Sequence, residues 1–188
     1  MFLVLVVVSP NYAQGIFFEK VRVREASSYD WEYAAEGIYS HRTATDERLK
    51  KYAATKQLYD LFGPRHAPSR PLPLILYVAP GNIPRWDYFE WTCRRQNVLF
   101  AAPRNVGNVQ HPAIRCRATL DVLGDVQRRY RVDPNRTYIA GYSGGALIAQ
   151  KLALDPAPFN ESTWNGKFWV ASQTGGQSCH EERSTVPR

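Results

Sequence analysis

The fold of this chain is decided by the stretch Tyr138-Ile139-Ala140-Gly141-Tyr142-Ser143-Gly144-Gly145-Ala146-Leu147-Ile148-Ala149. An apolar run enters a Gly-x-Ser-x-Gly turn and leaves it as a helix-forming segment. Such a turn holds its serine on a sharp, strained bend between a strand and a helix, and glycines flank it because a Cβ there would collide with neighbouring backbone. The stretch therefore predicts a nucleophile elbow that exposes the hydroxyl of Ser143.

The residues on either side favour the same order of elements. A turn cluster at 133–136 precedes the β-branched and aromatic residues 137–140, whose composition is typical of a buried strand. Residues 146–154 are mostly apolar helix formers, and Asp155-Pro156 ends them. Strand, turn and helix thus follow in the required order. The alternative is a glycine-rich turn that carries an ordinary surface serine.

Upstream of the elbow, apolar strands alternate with helical segments. Continuous apolar runs at 74–79 and 97–102 are typical of strands buried on both faces of a sheet, and helical residues at 86–95 separate them. Residues 114–131 have apolar residues at helical spacing, and residues 168–171 form another strand-like run. This alternation predicts a doubly wound, mostly parallel α/β sheet with right-handed crossovers.

The remaining patterns of the first 131 residues are less regular. Residues 17–23 alternate as a strand does, residues 45–62 have a helical pattern, and the proline-rich residues 63–73 are predicted to be extended and exposed. On the predicted helix at 114–131, charged residues occupy the sides away from the apolar stripe: Arg115, Arg117, Asp121, Asp125, Arg128 and Arg129.

Acyl transfer by a serine also needs hydrogen-bond donors for the developing oxyanion. The N–H of Gly144, the residue after the nucleophile, is the natural first donor. The second is expected from the turn after the strand at 74–79, because strand ends of a parallel sheet meet at one edge. Pro80 has no N–H, so Gly81 or Asn82 has to supply it, and the Asn82 side chain is a further candidate. The alternative is that residues 80–82 form only a turn.

From Pro71 to about Leu154 the chain resembles the α/β-hydrolase superfamily, in its polyhydroxybutyrate-depolymerase-like and feruloyl-esterase-like branch. Residues 72–77 look like the proline-led strand of that branch, and residues 130–145 are similar to its signature around the nucleophile. The resemblance implies a serine esterase that hydrolyses a small-molecule or polymer ester through an acyl-enzyme, without a metal or an organic cofactor. It also implies that such proteins are often exported.

Two features depart from the pattern of these relatives. Residues 79–81 read Ala-Pro-Gly where many relatives have His-Gly, and the family places its acid and histidine well beyond the elbow, whereas 45 residues follow Ser143 here. His180 comes after the serine and is the candidate base, although an exposed tail histidine is the commoner situation. Asp155 fits an ordinary helix terminator better than a catalytic acid. His111, on the loop after the second apolar strand, also lies at the carboxyl edge.

These departures leave a second interpretation open, namely an inactive α/β-hydrolase-like fragment or binding protein, truncated and lacking a complete triad. In that case a cluster of aromatic residues beyond the oxyanion turn is a candidate ligand pocket, although helix core is the more ordinary role. The cluster contains Trp86, Tyr88, Phe89 and Trp91.

Composition and charge limit the kinds of binding partner and the cellular compartment that are compatible with this chain. The net charge is +7 and the basic residues are spread over the chain, without the stripe of cations and aromatics expected of a nucleic-acid binder. Residues 2–8 form an apolar run with no Lys or Arg before it, so residues 1–15 are interpreted as a short export signal and residues 16–188 as one domain, secreted or periplasmic. A buried N-terminal strand is the alternative. The run is far below the ~20 residues that span a bilayer.

The chain has three cysteines: Cys93, Cys116 and Cys179. Their spacing fits no metal site. A bridge between Cys93 and Cys116 and three unpaired thiols are both compatible with the sequence.

Overall fold

A five-stranded sheet forms the centre of the computed structural model, which describes residues 15–29, 47–65 and 69–154. The strands in chain order are β1 (Gly15–Arg22), β2 (Leu58–Pro64), β3 (Leu72–Val78), β4 (Leu99–Pro103) and β5 (Val132–Gly141). Their order across the sheet is β1-β2-β4-β3-β5. The strand predicted at 168–171 and the predicted export signal, apart from Gly15, lie outside the described residues.

Strand direction confirms the predicted, mostly parallel α/β sheet. β3 pairs in parallel with both β4 and β5, whereas β2 pairs antiparallel with β1 and with β4. Four of the five described strands therefore point the same way and only β2 is reversed. The carboxyl ends of β3, β4 and β5 meet at one edge of the sheet, so the loops that follow these strands are neighbours.

Helices cover both faces of the sheet, as a doubly wound fold requires. The described α-helices are α1 (Glu47–Lys50), α2 (Glu90–Gln96), α3 (Pro112–Arg129) and α4 (Gly144–Leu154), and short 3-10 turns lie at Ala54–Lys56 and Trp86–Tyr88. α3 and α4 bury Leu120, Leu123 and Leu152 on one face, with side chains of β3 and β4. α2 buries Cys93 on the opposite face, against Tyr77 and Phe100.

The predicted helix at 45–62 is wrong over most of its length. Its final residues form β2, which lies between β1 and β4. Tyr59 and Leu61 enter the core on one face of the sheet, while Phe62 enters the core on the other. Because both faces of this strand are buried, its apolar residues fill consecutive positions, and that spacing imitates a helical stripe.

Within the described residues, the other predicted strands and helices are confirmed within a few residues. The stretch predicted to be exposed at 63–73 is different, since Gly63 is buried in β2 and Leu72 is buried in β3. The turn cluster at 133–136 lies inside the bounds of β5 as an irregularity, since Leu72 pairs with Val132 and Leu74 already pairs with Thr137. No described helix combines the length and the apolar character that crossing a membrane requires.

Cys93 and Cys116 are both buried and unpaired. They lie in the cores on opposite faces of the sheet, so the interpretation with a bridge between them is wrong. Burial raises the pKa of each thiol to about 12. Because the thiolate is the reactive form, both side chains serve as small core residues. Cys179 lies outside the described residues.

The charged side of α3 is not a solvated face. Asp121 and Asp125 are buried, at 1% and 0% exposure, and they hold the segment after β1 against the helix. Asp125 accepts hydrogen bonds from the Tyr59 hydroxyl at 2.7 Å, from Nε of Arg129 at 2.7 Å and from the N–H of Arg24 at 3.1 Å. Asp121 accepts from the N–H of Ser27 at 2.7 Å. The sequence pattern places these residues away from the apolar stripe. Spacing alone does not show whether such a polar residue lies at the surface or anchors a covering segment.

Substituting Asp125 with Asn is expected to destabilise the protein by about 3–5 kcal/mol, because it leaves the Arg129 charge without its buried partner. Burial alone would raise the pKa of Asp125, but the hydrogen bonds from Tyr59, Arg129 and Arg24 outweigh it and hold the pKa below its usual range. A depressed pKa in the folded state contributes stability above the unfolded-state pKa, and that contribution is lost as the pH falls through the folded-state pKa.

Urea unfolding of the wild type and the Asp125→Asn variant at a series of pH values from neutral to acid measures this effect. The difference in free energy of unfolding between the wild type and the variant should become smaller at the acid end, where the carboxyl of Asp125 becomes protonated in the wild type. Asp87→Asn is the matched control, since the pKa of Asp87 is also lowered, by the hydrogen bond from Arg85, but its side chain is exposed. If Asp87→Asn lost as much stability as Asp125→Asn, the loss could not be attributed to the buried pairing of Asp125.

Candidate active site

Ser143 lies on the bend between β5 and α4, with a φ of 51°. Residues other than glycine rarely adopt this left-handed backbone region, and such strain is concentrated at functional sites. Two hydrogen bonds hold the bend: the N–H of Gly145 donates to the carbonyl of Tyr142, and the N–H of Ala146 donates to the carbonyl of Ser143, both at 2.8 Å. Ser143 is exposed. The bend has the geometry of the predicted nucleophile elbow.

The glycines of the elbow are required by close backbone contacts. A Cβ on Gly141 would overlap the carbonyl of Gly145, and a Cβ on Gly145 would overlap the carbonyl oxygen of Val78. The second overlap shows that the elbow packs directly against the end of β3. The N–H of Tyr142 also donates to the carbonyl of Val78, at 3.4 Å. The loop after β3 therefore starts beside the bend that carries Ser143, as the strand-end argument predicted.

Hydrogen bonds join the loop after β3 to the loop after β4. The N–H of Asn108 donates to the carbonyl of Pro80 at 2.8 Å, and the N–H of Asn105 donates to the carbonyl of Asn82 at 2.8 Å. The side-chain oxygen of Asn82 accepts from the N–H of Gly107 at 3.2 Å. The Asn82 side chain thus fixes the loop through its oxygen.

Three main-chain donors remain available at this edge. Among the described residues, the N–H groups of Gly81, Asn82 and Gly144 donate to no protein acceptor. Gly81 and Asn82 are exposed and Gly144 is half-buried. These are the donors that the sequence assigns to the oxyanion.

Asn108 is a site residue that sequence reasoning missed. A Cβ on Gly144 would overlap the side-chain oxygen of Asn108, so the amide group of this side chain lies against Gly144. The signal was present, since Asn108 follows β4 at the same edge, but an asparagine in a loop is most often a turn residue. Its amide is a candidate polar group for a ligand held near Ser143.

Arg115 is the second residue that was missed, because the sequence pattern placed it only among the charged residues on the sides of the helix away from the apolar stripe. It is 4% exposed and donates three hydrogen bonds to main-chain carbonyls. Nε donates to Val106 at 2.7 Å, one terminal nitrogen donates to Gly144 at 2.9 Å and the other donates to Ala79 at 2.9 Å. Burial lowers the pKa of the guanidinium. Arg115 is buried because the first turn of α3 lies under the loops at the strand ends.

His111 caps α3, and its Nδ1 accepts the N–H of Ala113 at 3.2 Å. Within the described ranges Ser143 Oγ makes no hydrogen bond to a protein group. The candidate base His180, the rejected acid Asp155 and the histidines His41 and His66 lie outside the described residues.

The aromatic cluster beyond the oxyanion loop is divided between core and surface. Trp86 and Phe89 pack in the core, where Trp86 stacks on Phe17 and Phe62. Tyr88 and Trp91 are exposed, at 63% and 68%. Four other large apolar side chains near Ser143 are also exposed, three of them on loops and the last on α4: Ile83, Val109, Tyr142 and Leu147. The described part of this edge thus presents an apolar rim, formed by these four residues and Tyr88.

The strand order, the two-sided helix layers and the elbow after β5 define an α/β-hydrolase fold. No protein-family model and no curated protein matches the chain.

Among solved structures, the chain is similar to the S-formylglutathione hydrolase FrmB from Staphylococcus aureus, with 16% identity and a TM-score of 0.45 over 54% of this chain and 48% of that one. It is also similar to the carboxylesterase EstE1 from a metagenomic library, with 19% identity and a TM-score of 0.44 over 60% of this chain and 41% of that one. A third is the rice cell wall degrading esterase LipA from Xanthomonas oryzae, with 16% identity and a TM-score of 0.42 over 62% and 36%. The match thus spans less than half the length of each of these proteins.

Proposed function

We propose that this protein is a serine esterase that hydrolyses a carboxylic ester through an acyl-enzyme on Ser143. One observation carries the proposal: Ser143 is exposed on a strained elbow, with φ of 51°, beside the N–H groups of Gly144, Gly81 and Asn82. Positive φ also occurs at Lys20, Asn97 and Asn105, so the support lies in the combination of this conformation with an exposed hydroxyl and neighbouring main-chain donors.

The proposed reaction uses these groups in sequence. Ser143 Oγ attacks the carbonyl carbon of the ester while a base takes its proton, and the negative oxygen that results accepts hydrogen bonds from Gly144 and from Gly81 or Asn82. Collapse of this intermediate breaks the ester bond, and the departing alkoxide takes up the proton from the base. A water molecule then attacks the acyl-enzyme by the same route and releases the acid.

We assign the base to His180, which follows the elbow in the chain and lies outside the described residues. The apolar rim favours an ester with an apolar acyl or aryl group, either a small molecule or the end of a polymer, since such a group would cover exposed side chains on binding. The apolar run at residues 2–8 supports a secreted or periplasmic location for this activity.

The reaction class is tested by incubating the protein with a fluorophosphonate probe and with p-nitrophenyl esters of increasing acyl length. We expect the probe to attach to the peptide that contains Ser143, as located by mass spectrometry, and ester hydrolysis to release p-nitrophenol. Binding of a probe ester with neither labelling nor turnover would instead support the non-catalytic binding protein.

Substituting His180 with Asn is expected to lower kcat for ester hydrolysis by about 10²–10⁴-fold, the usual contribution of a general base. His111→Asn is the matched control, because asparagine is itself a good N-cap and preserves the capping of α3 that the His111 side chain provides. Equal activity of the His180 variant and the wild type would remove His180 from the mechanism and leave the base unassigned.

A further inference from the structure

The guanidinium of Arg115 connects the three loops that surround the proposed oxyanion site. Its hydrogen bonds end on Ala79, which precedes the loop after β3, on Val106 in the loop after β4, and on Gly144 in the elbow. Each acceptor is a main-chain carbonyl, so the contact sets the position of backbone and does not depend on neighbouring side chains.

No described carboxylate pairs with Arg115. Its charge is nearly fully buried, and its hydrogen-bond acceptors among the described residues are only these carbonyl oxygens. Burying an unpaired charge costs free energy. An apolar residue at this position of α3 would avoid that cost but would leave these three carbonyl oxygens without the hydrogen bonds that Arg115 donates.

A rigid fork of donors does something that an apolar side chain does not. The planar guanidinium has its N–H groups at fixed angles, so three simultaneous hydrogen bonds determine the spacing of the three carbonyls. Two of these carbonyls belong to Gly144 and to Ala79, the residue before Pro80. Arg115 thus holds Gly144, whose N–H is the first proposed oxyanion donor. The second proposed donor, Gly81 or Asn82, lies within three residues of Ala79, which Arg115 also holds.

We propose that Arg115 is a positioning residue that holds the elbow and the loop after β3 at the separation required for Gly144 and Gly81 or Asn82 to bind one oxyanion. The expected effect of Arg115 on catalysis rests on the proposed esterase function. Its expected effect on the position of the two loops rests only on the three hydrogen bonds. Arg115 does not touch the reacting atoms; it acts through the backbone of its partners.

The test compares Arg115→Ala with Arg129→Ala, which removes another largely buried arginine of α3 that is paired with Asp125 and lies far along the helix from the elbow. The rate of fluorophosphonate labelling and kcat for a p-nitrophenyl ester should fall about 10²-fold in Arg115→Ala, since a misplacement near 1 Å costs about that much. KM should change little. Arg129→Ala should retain the wild-type labelling rate at temperatures below its midpoint of unfolding.

Two further measurements separate positioning from general stability. Methylguanidinium added to Arg115→Ala should restore part of the labelling rate, and it should have no effect on Arg129→Ala. Hydrogen exchange followed by mass spectrometry should show faster exchange in peptides covering residues 79–84 and 141–147 of Arg115→Ala only. If the alanine variant does not fold, Arg115→Lys, which keeps the charge without the fork, takes its place and should label more slowly than the wild type.

The inference is overturned if the folded Arg115 variant labels at the wild-type rate, or if both arginine variants lose labelling and exchange protection in proportion to their loss of thermal stability. A wild type that is never labelled would refute the esterase proposal instead. In that event the exchange measurement alone still decides whether Arg115 holds the two loops.

Discussion

Substituting Ser143 with alanine is expected to eliminate fluorophosphonate labelling and to lower kcat for ester hydrolysis by about 10⁶-fold, as removal of a catalytic serine does in a serine protease. The physical reason is that no other group occupies the tip of the elbow. The remaining oxyanion donors stabilise charge but form no acyl-enzyme, so they accelerate only the direct attack of water.

Labelling is read as the mass of the intact protein, and turnover as release of p-nitrophenol. Ser69→Ala is the matched control, since Ser69 is also an exposed serine and the hydrogen bond that it accepts from Arg131 ends on its main-chain oxygen. The alanine variant of Ser143 should unfold at about the wild-type midpoint, because an exposed hydroxyl contributes little to stability. Labelling that persists in Ser143→Ala would show that the nucleophile is another residue.

Substituting Gly145 with alanine is expected to destabilise the protein by about 3 kcal/mol or more and to abolish labelling of any folded fraction. The added methyl group would overlap the carbonyl oxygen of Val78, which is main chain at the end of β3, an inner strand of the sheet. Relief of that overlap requires α4 and β3 to separate. This movement would carry Ser143 away from the donors of the loop after β3.

Gly81→Ala provides the comparison for this prediction, because no atom lies within 4 Å of the position that its Cβ would take. Its stability should stay within about 0.5 kcal/mol of the wild type. Both free energies come from urea unfolding. Equal stability of the Gly145 and Gly81 variants would mean that the elbow does not pack against β3 as described.

The elbow was predictable because its determinants are neighbours in the chain. An apolar strand, two glycines and a run of helix formers constrain one another over about a dozen residues, and the bend at Ser143 follows from them. The alternation of strands and helices from Leu72 onward was equally local, and it led to the correct two-sided sheet. The loop after β3 could be assigned to the site because parallel strand ends share an edge.

The errors arose where the meaning of a residue depends on what covers it. Residues 58–62 have the spacing of a helix face, and only their place between β1 and β4 makes them a strand with two buried faces. Arg115 and Asp125 are charged and lie on a helix, which ordinarily indicates solvent. Neither their burial nor most of their partners can be inferred from spacing. Apart from Arg129, which lies four positions from Asp125, these partners belong to loops or to distant parts of the chain, such as Gly144 at 29 positions from Arg115 and Arg24 at 101 positions from Asp125.

The sequence by itself thus determined the class of fold, the position of Ser143 on an exposed bend and the strand ends that surround it, because short-range sterics and hydrophobic periodicity specify each of them. Tertiary structure alone decided which side chains hold those strand ends together. Arg115 and Asn108 acquire their roles only when the loops after β3 and β4 close over the elbow, since hydrogen bonds to a distant backbone depend on distances that no local pattern encodes.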